Sequence, residues 1–145
     1  MINKANVFKY EDIKVGQKTE FTVKITEEMV NKFAALVGDF NPLHMDENYA
    51  KDTKFGNRIA HGMLTASFFS TLLGMYCPGE KNLYLSQSLN FKAPLKIGEA
   101  IKVEGEVLQK VDSTKVISVK TTVYNVSNNS VLVAGEAKVM VRGAV

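Results

Sequence analysis

The sequence predicts an α+β fold, with one long apolar helix wrapped by an antiparallel sheet. Three observations carry that expectation. Gly62 to Cys77 is a stretch without a charged side chain, apolar almost all round and broken only by small hydroxyls. Beyond Pro78-Gly79 the pattern changes to period two, in four long runs rich in Val, Ile and Thr. Ahead of both stand a strand and an amphipathic helix. A helix that is apolar on most sides needs a sheet to bury it, and four or five long twisted strands can curl around it.

In chain order, Lys18 to Ile25 alternates, with Phe21, Val23 and Ile25 on one side, as a half-buried strand does. Thr26 then stands as a helix N-cap, and Glu27 and Glu28 suit the positive end of the helix dipole. Val30, Phe33, Ala34 and Val37 form one apolar face, and Gly38 is placed to end the helix in a left-handed conformation. Asp39 to His44 is expected to be a loop, with Pro42 fixing its backbone. Asp46 can cap a short helix through Tyr49 and Ala50, and Lys51 to Arg58 reads as a polar, mobile loop. The apolar helix follows, about 24 Å long at about 1.5 Å per residue. Leu83 to Phe91, Ala100 to Val111, Lys115 to Tyr124 and Val131 to Val141 are the four strand-like runs. Turn signals at Pro94 to Gly98, Asp112-Ser113 and Asn128-Asn129-Ser130 separate the four. "DIKVGQK" at 12–18 and "PLKIGEA" at 94–100 echo each other as glycine turns leading into strands, too briefly for an internal repeat.

Composition narrows the function classes. The 145 residues suit one domain, residues 1–145, able to bury a core without staples. Apolar residues make up 46% and charged residues 23%, as in soluble globular proteins. The net charge of +3 comes without a basic run or a basic stripe with interleaved aromatics, so nucleic-acid binding is unsupported. Cys77 is the lone cysteine, which excludes an internal disulfide and a cysteine metal cluster, and it reads as a small buried residue. The N-terminal residues lack an apolar signal core, and the apolar helix is too short and too interrupted to span a bilayer comfortably. A soluble, cytoplasmic protein is expected. The triplets at Asn125 and Asn128 then signify a polar turn, not glycosylation.

Two places carry chemistry. "GDFNPLH" at 38–44 sets Asp39 and His44 five residues apart across a proline-containing loop, which can bring a carboxylate and an imidazole to one point. That pair is ordinary equipment for holding and activating a water. A capping Asp39 and a satisfied loop histidine at 44 would explain the spacing equally well. His61-Gly62 opens the apolar helix, where unpaired N–H groups and a positive dipole end can hold a developing oxyanion. Gly62 would let a ligand approach closely, or would simply permit tight packing. Together the two places hold what is needed to add water across a carbonyl-conjugated double bond: a water site, acid/base groups and an oxyanion donor.

"GDFNPLHMDENYA", "RIAHGMLTASFFSTLLG" and "YLSQSLNFKAPLKIGE" together resemble the R-specific, MaoC-like enoyl-CoA hydratases of the hotdog fold. The resemblance runs from about Phe8 to Val141. It implies that Asp39 and His44 are the catalytic pair sharing one water, and that the Gly62 amide binds the thioester carbonyl oxygen. Asn41 matches the motif asparagine and would brace the loop. Ser70 matches a serine near the site in relatives and would have a supporting role, while His61 would be structural. The implied reaction is reversible hydration of a trans-2-enoyl thioester to the (3R)-3-hydroxyacyl thioester, on coenzyme A or possibly acyl carrier protein, without a metal or redox cofactor. The family also implies a homodimer or a dimer of dimers. Leu72 or Leu73 is expected on the pocket floor. Two rivals stand beside this reading: a thioesterase on the same fold, separable by release of free thiol, and a non-catalytic acyl-binding or accessory dehydratase subunit.

Overall fold

The structure is a computed structural model in which residues 1–143 are described. Strand β1 (Lys18–Lys24) leads into helix α1 (Glu27–Val37), whose N-cap Thr26 accepts the Met29 N–H at 3.2 Å. Gly38 ends α1 at φ 79°, a left-handed conformation that reverses the chain at little steric cost. Two short helices follow, α2 (Pro42–Met45) and α3 (Glu47–Lys51), with Asp46 capping α3 through its side chain. Helix α4 (Gly62–Thr71) continues into a π-helical turn over Leu72–Tyr76. The remaining strands are β2 (Asn82–Gln87), β3 (Asn90–Phe91), β4 (Ala100–Val111), β5 (Val116–Asn125) and β6 (Val131–Val141).

All strand pairs are antiparallel, in the order β1-β4-β5-β6-β2, with β3 also on β6. The sheet curls around α4 and its extension. Leu64, Phe68, Phe69 and Leu72 pack with Phe21, Val103, Val123 and Leu132 in one cluster, and Leu73 and Cys77 join Ile117 and Val139 in a second. This is the hotdog arrangement expected from the sequence. The echoed glycine turns at 12–18 and 94–100 do precede β1 and β4.

Three local expectations need correction. The strand expected over Leu83 to Phe91 is split into β2 and β3, both on β6; between them the Ser88 N–H donates to the Glu136 carbonyl, but the Glu136 N–H donates to Ser88 Oγ at 2.9 Å, a side chain standing in for the backbone. The segment 39–44 is not all loop: Pro42–Met45 forms a helical turn. The loop 51–58 does not end in solvent, since Arg58 is 8% exposed and each of its three guanidinium nitrogens donates a hydrogen bond. Helix α4 is buried on most sides, as expected, with Met63, Ser67 and Ser70 forming an exposed stripe. No helix among the described residues is long and apolar enough to cross a membrane.

Candidate active site

The site begins with two side-chain caps. Asp39 Oδ1 accepts the Asn41 N–H at 3.1 Å, and Asn41 Oδ1 accepts the Leu43 N–H at 3.0 Å. Asn41 is the N-cap of α2, and its carbonyl accepts the N–H groups of His44 at 2.9 Å and Met45 at 3.2 Å. Asx capping of this kind competes well with extended backbone, and Pro at the first helical position needs no hydrogen-bond acceptor for its nitrogen. The sequence therefore winds Pro42–Met45 into one turn, which swings His44 back toward Asp39. Ligand atoms of Asp39, His44 and His61 all lie within 4.8 Å of one another.

Hydrogen-bond partners fix the tautomers of both histidines. His44 Nδ1 lies 2.8 Å from the Ile59 carbonyl oxygen. A carbonyl only accepts, so Nδ1 carries the proton and Nε2 keeps the lone pair. His61 Nε2 lies 3.0 Å from the Asp39 carbonyl, so there the ε nitrogen donates. His61 is 2% exposed, and its ring sits tilted between those of His44 at 4.1 Å and Phe33 at 5.0 Å, centroid to centroid. Its Nδ1 is buried with no hydrogen-bond partner. His61 thus holds the backbone of Asp39. The Asp39 carboxylate remains half exposed, with Oδ2 at 3.9 Å from His61 Nε2.

His61 is also the N-cap residue of α4, and its side chain makes no capping hydrogen bond. The first N–H groups of a helix have no intrahelical acceptor and sit at the positive end of the dipole. Gly62 and His44 both line a cavity of about 510 Å³, whose walls include Phe55, Thr65, Phe91 and Leu132, with Lys92 the one cation among them. Phe91 lies against the open face of Gly62: a Cβ built there would stand 2.8 and 2.9 Å from two of its ring carbons. Ser70 does not line this cavity, and neither do Leu72 and Leu73. Those two leucines face the core clusters, so the expected floor is replaced by Thr65, Leu95, Leu132 and Val133.

Asp39, His44 and His61 are also the residues that could hold a metal. Tetrahedral zinc, with bonds of about 2.0–2.1 Å, brings neighbouring ligand atoms to roughly 3.3 Å. A water making two hydrogen bonds of about 2.8 Å spans roughly 4.6 Å. The 4.8 Å limit of this cluster has room for the water. His61 Nε2 moreover spends its proton on a carbonyl and offers no lone pair to a cation.

The MaoC like domain family matches residues 10–129 of this chain. The chain belongs to that family. A relative in Rhodospirillum rubrum, an (R)-specific enoyl-CoA hydratase, is 42% identical over 91% of this chain and 90% of its own. The (R)-specific enoyl-CoA hydratase of Aeromonas caviae is 40% identical over 89% of this chain and 96% of its own. Among solved structures, the R-hydratase PhaJ1 of Pseudomonas aeruginosa in its unliganded form superposes with a TM-score of 0.88 at 40% identity. That match covers 94% of this chain and 86% of that one.

The sequence reads Arg58 as the end of a polar loop, whereas the structure ties it to helix α1 and the His44 turn. A signal was present: Glu27 and Asn31 stand four apart on the polar face of α1, a pair of acceptors waiting for a planar cation. Cys77 is buried as expected, and burial pushes its thiol up to about 11, far from a reactive thiolate.

Proposed function

We propose that this MaoC-like protein is an (R)-specific enoyl-CoA hydratase, adding water reversibly to a trans-2-enoyl thioester to give the (3R)-3-hydroxyacyl thioester. One observation carries the reading: the Asp39 carboxylate converges on the His44 imidazole, and His44 and Gly62, the first residue of a buried helix, together line a largely apolar cavity that Asp39 itself does not line. The relatives at about 40% identity, with matching lengths, support the same activity. In the reaction, Asp39 and His44 hold one water. Its oxygen bonds to the β-carbon while one of the pair takes a proton, and the α-carbon receives a proton in return. The charge that builds on the thioester oxygen meets the Gly62 N–H. A neutral His44, with its δ proton on the Ile59 carbonyl, can accept at Nε2, and the imidazolium so formed can return that proton. Asn41 and His61 support the pair by shaping its backbone.

The carrier is coenzyme A, with acyl carrier protein as the other candidate, and Lys92 is the wall residue suited to its phosphates. A second copy of the chain completes the particle. Edge strand β2 has a free side and exposes Leu83 and Leu85 at 45% and 50%, and Met63, Ser67 and Ser70 lie open on α4. Ser70, outside the cavity, supports the site through that contact. A cytoplasmic setting suits the buried thiol. The test is purified protein with crotonyl-CoA, following enoyl-thioester absorbance and free thiol in parallel. Loss of absorbance without thiol, and an R product by chiral analysis, is expected. Thiol release would point to a thioesterase, and binding without turnover to an accessory subunit.

A further inference from the structure

We propose that Arg58 is a positioning residue, clamping the His44 turn to helix α1 so that the imidazole stays aligned with Asp39 and Gly62. The inference rests on the reading that His44 handles protons in the reaction. Arg58 is 8% exposed and spends three donors on three different partners. Its Nε donates to the His44 carbonyl at 2.6 Å, Nη1 to Glu27 Oε1 at 2.7 Å, and Nη2 to Asn31 Oδ1 at 2.9 Å. Glu27 and Asn31 lie one turn apart on α1, so the fork is fixed on a regular helix. From there it reaches a turn of only four residues, which cannot hold itself by its own hydrogen bonds.

The His44 carbonyl belongs to the last turn of α2, where carbonyls lack intrahelical donors. A charged guanidinium supplies a bond about twice as strong as a neutral donor would. The next residue, Ile59, takes the His44 ring through its carbonyl. One dipeptide therefore grips both the backbone and the ring of His44. The residue after Ala60 is His61, which grips the backbone of Asp39. The segment 58–61 thus fixes both members of the pair relative to Gly62, which begins the helix directly after it. Arg58 does not line the cavity, so whatever it contributes passes through His44. Lysine cannot replace it, because one ammonium on a flexible stem cannot reproduce a planar three-way fork.

The test compares Arg58→Met, Arg58→Lys, Glu27→Gln and His44→Ala in crotonyl-CoA hydration, with ¹⁵N-histidine spectra of each. In Arg58→Met we expect kcat to fall roughly tenfold to a hundredfold, the scale of an ångström misplacement, and KM to stay within about twofold because the cavity wall is untouched. The His44 ring signals should broaden or split while those of His61 stay single. Arg58→Lys should lie near Arg58→Met, and Glu27→Gln should show a smaller loss in the same direction; these two carry the test if Arg58→Met does not fold. Wild-type kcat in folded Arg58 variants, alongside an inactive His44→Ala, would overturn the clamp and leave the pair standing. Equal broadening of both histidines, or KM rising with kcat, would also overturn it by showing that Arg58 merely holds the fold. Full activity in His44→Ala would remove the pair and the clamp together.

Discussion

Gly62→Ala should separate stability from turnover in one substitution. Gly62 is the first residue of α4, and its φ lies outside the left-handed region, so alanine fits the backbone. Replacing glycine in a helix with alanine stabilises by about 0.5–1 kcal/mol. The new methyl, however, would stand 2.8 and 2.9 Å from Phe91 Cδ1 and Cε1. Ordinary contact begins near 3.4 Å, so the ring must retreat by about 0.6 Å. Phe91 is 52% exposed and can swing, so the fold absorbs the change. In the proposed mechanism the added methyl, on the cavity-lining Gly62, crowds the approach of the thioester oxygen to its amide. Losing one oxyanion donor costs about 2.7–4 kcal/mol, a hundredfold to a thousandfold in kcat. The matched control is Gly74→Ala, in the π turn, where nothing lies within 4 Å of the added carbon. Thermal melts and crotonyl-CoA kinetics on both variants give the answer. Equal melting temperatures and a wild-type rate in Gly62→Ala would refute the amide's role.

Asp39→Asn keeps the oxygen that accepts the Asn41 N–H, so the turn should survive while kcat drops by about 10²–10⁴, with His44→Ala similar; near wild-type rates in either folded variant would remove the pair. Cys77 links stability to alkaline pH. Burial raises its thiol from 9.0 to about 11, so the unfolded chain ionises first as pH rises. Its contribution is fully present below pH 9 and is lost between pH 9 and 11, by at most about 2–3 kcal/mol. Denaturant titrations of the wild type and Cys77→Ala should differ in slope over that window, and parallel curves would count against it. Leu83→Asp with Leu85→Asp should leave a monomer by light scattering if β2 meets a second copy, and an unchanged mass would place the interface elsewhere.

Where a pattern depends on neighbours in the chain, the sequence displayed it. The caps Thr26 and Asp46, the reversal at Gly38 and the ends of β4 and β6 all rest on local geometry. The convergence of Asp39 and His44 was legible only as a possibility, because a loop and a capped turn differ by where Asn41 sends its side chain. The resemblance to a family gave the pair its weight. Arg58 was hidden for another reason. Its three partners come from residues 14, 27 and 31 positions away, and nothing in the local run Lys51 to Arg58 records that a helix lies opposite. The pocket floor failed likewise: helical position alone does not say which side of α4 meets the sheet and which meets the cavity.

The site divides into two devices built on different elements, and that division can be tested. Helix α4 supplies a fixed positive end at Gly62, close to half an elementary charge for an ordinary helix. In the proposed mechanism the turn α2 supplies the proton-handling groups, Asp39 before it and His44 within it. The two are joined through His61, which precedes Gly62 and holds the Asp39 backbone, but the caps that wind the turn do not involve the α4 amides. A double variant, Asp39→Asn with His44→Ala, should therefore stop hydration yet still bind and polarise an enoyl thioester. A conjugated thioester shifts its absorbance to longer wavelength when its carbonyl accepts a strong hydrogen bond. The double variant should produce that shift on binding a slow aromatic enoyl-CoA, and adding Gly62→Ala should abolish it. A shift that survives Gly62→Ala would mean that the carbonyl is held elsewhere. A shift lost with the pair alone would mean that turn and helix act as one unit, and that the water, not the amide, carries the charge.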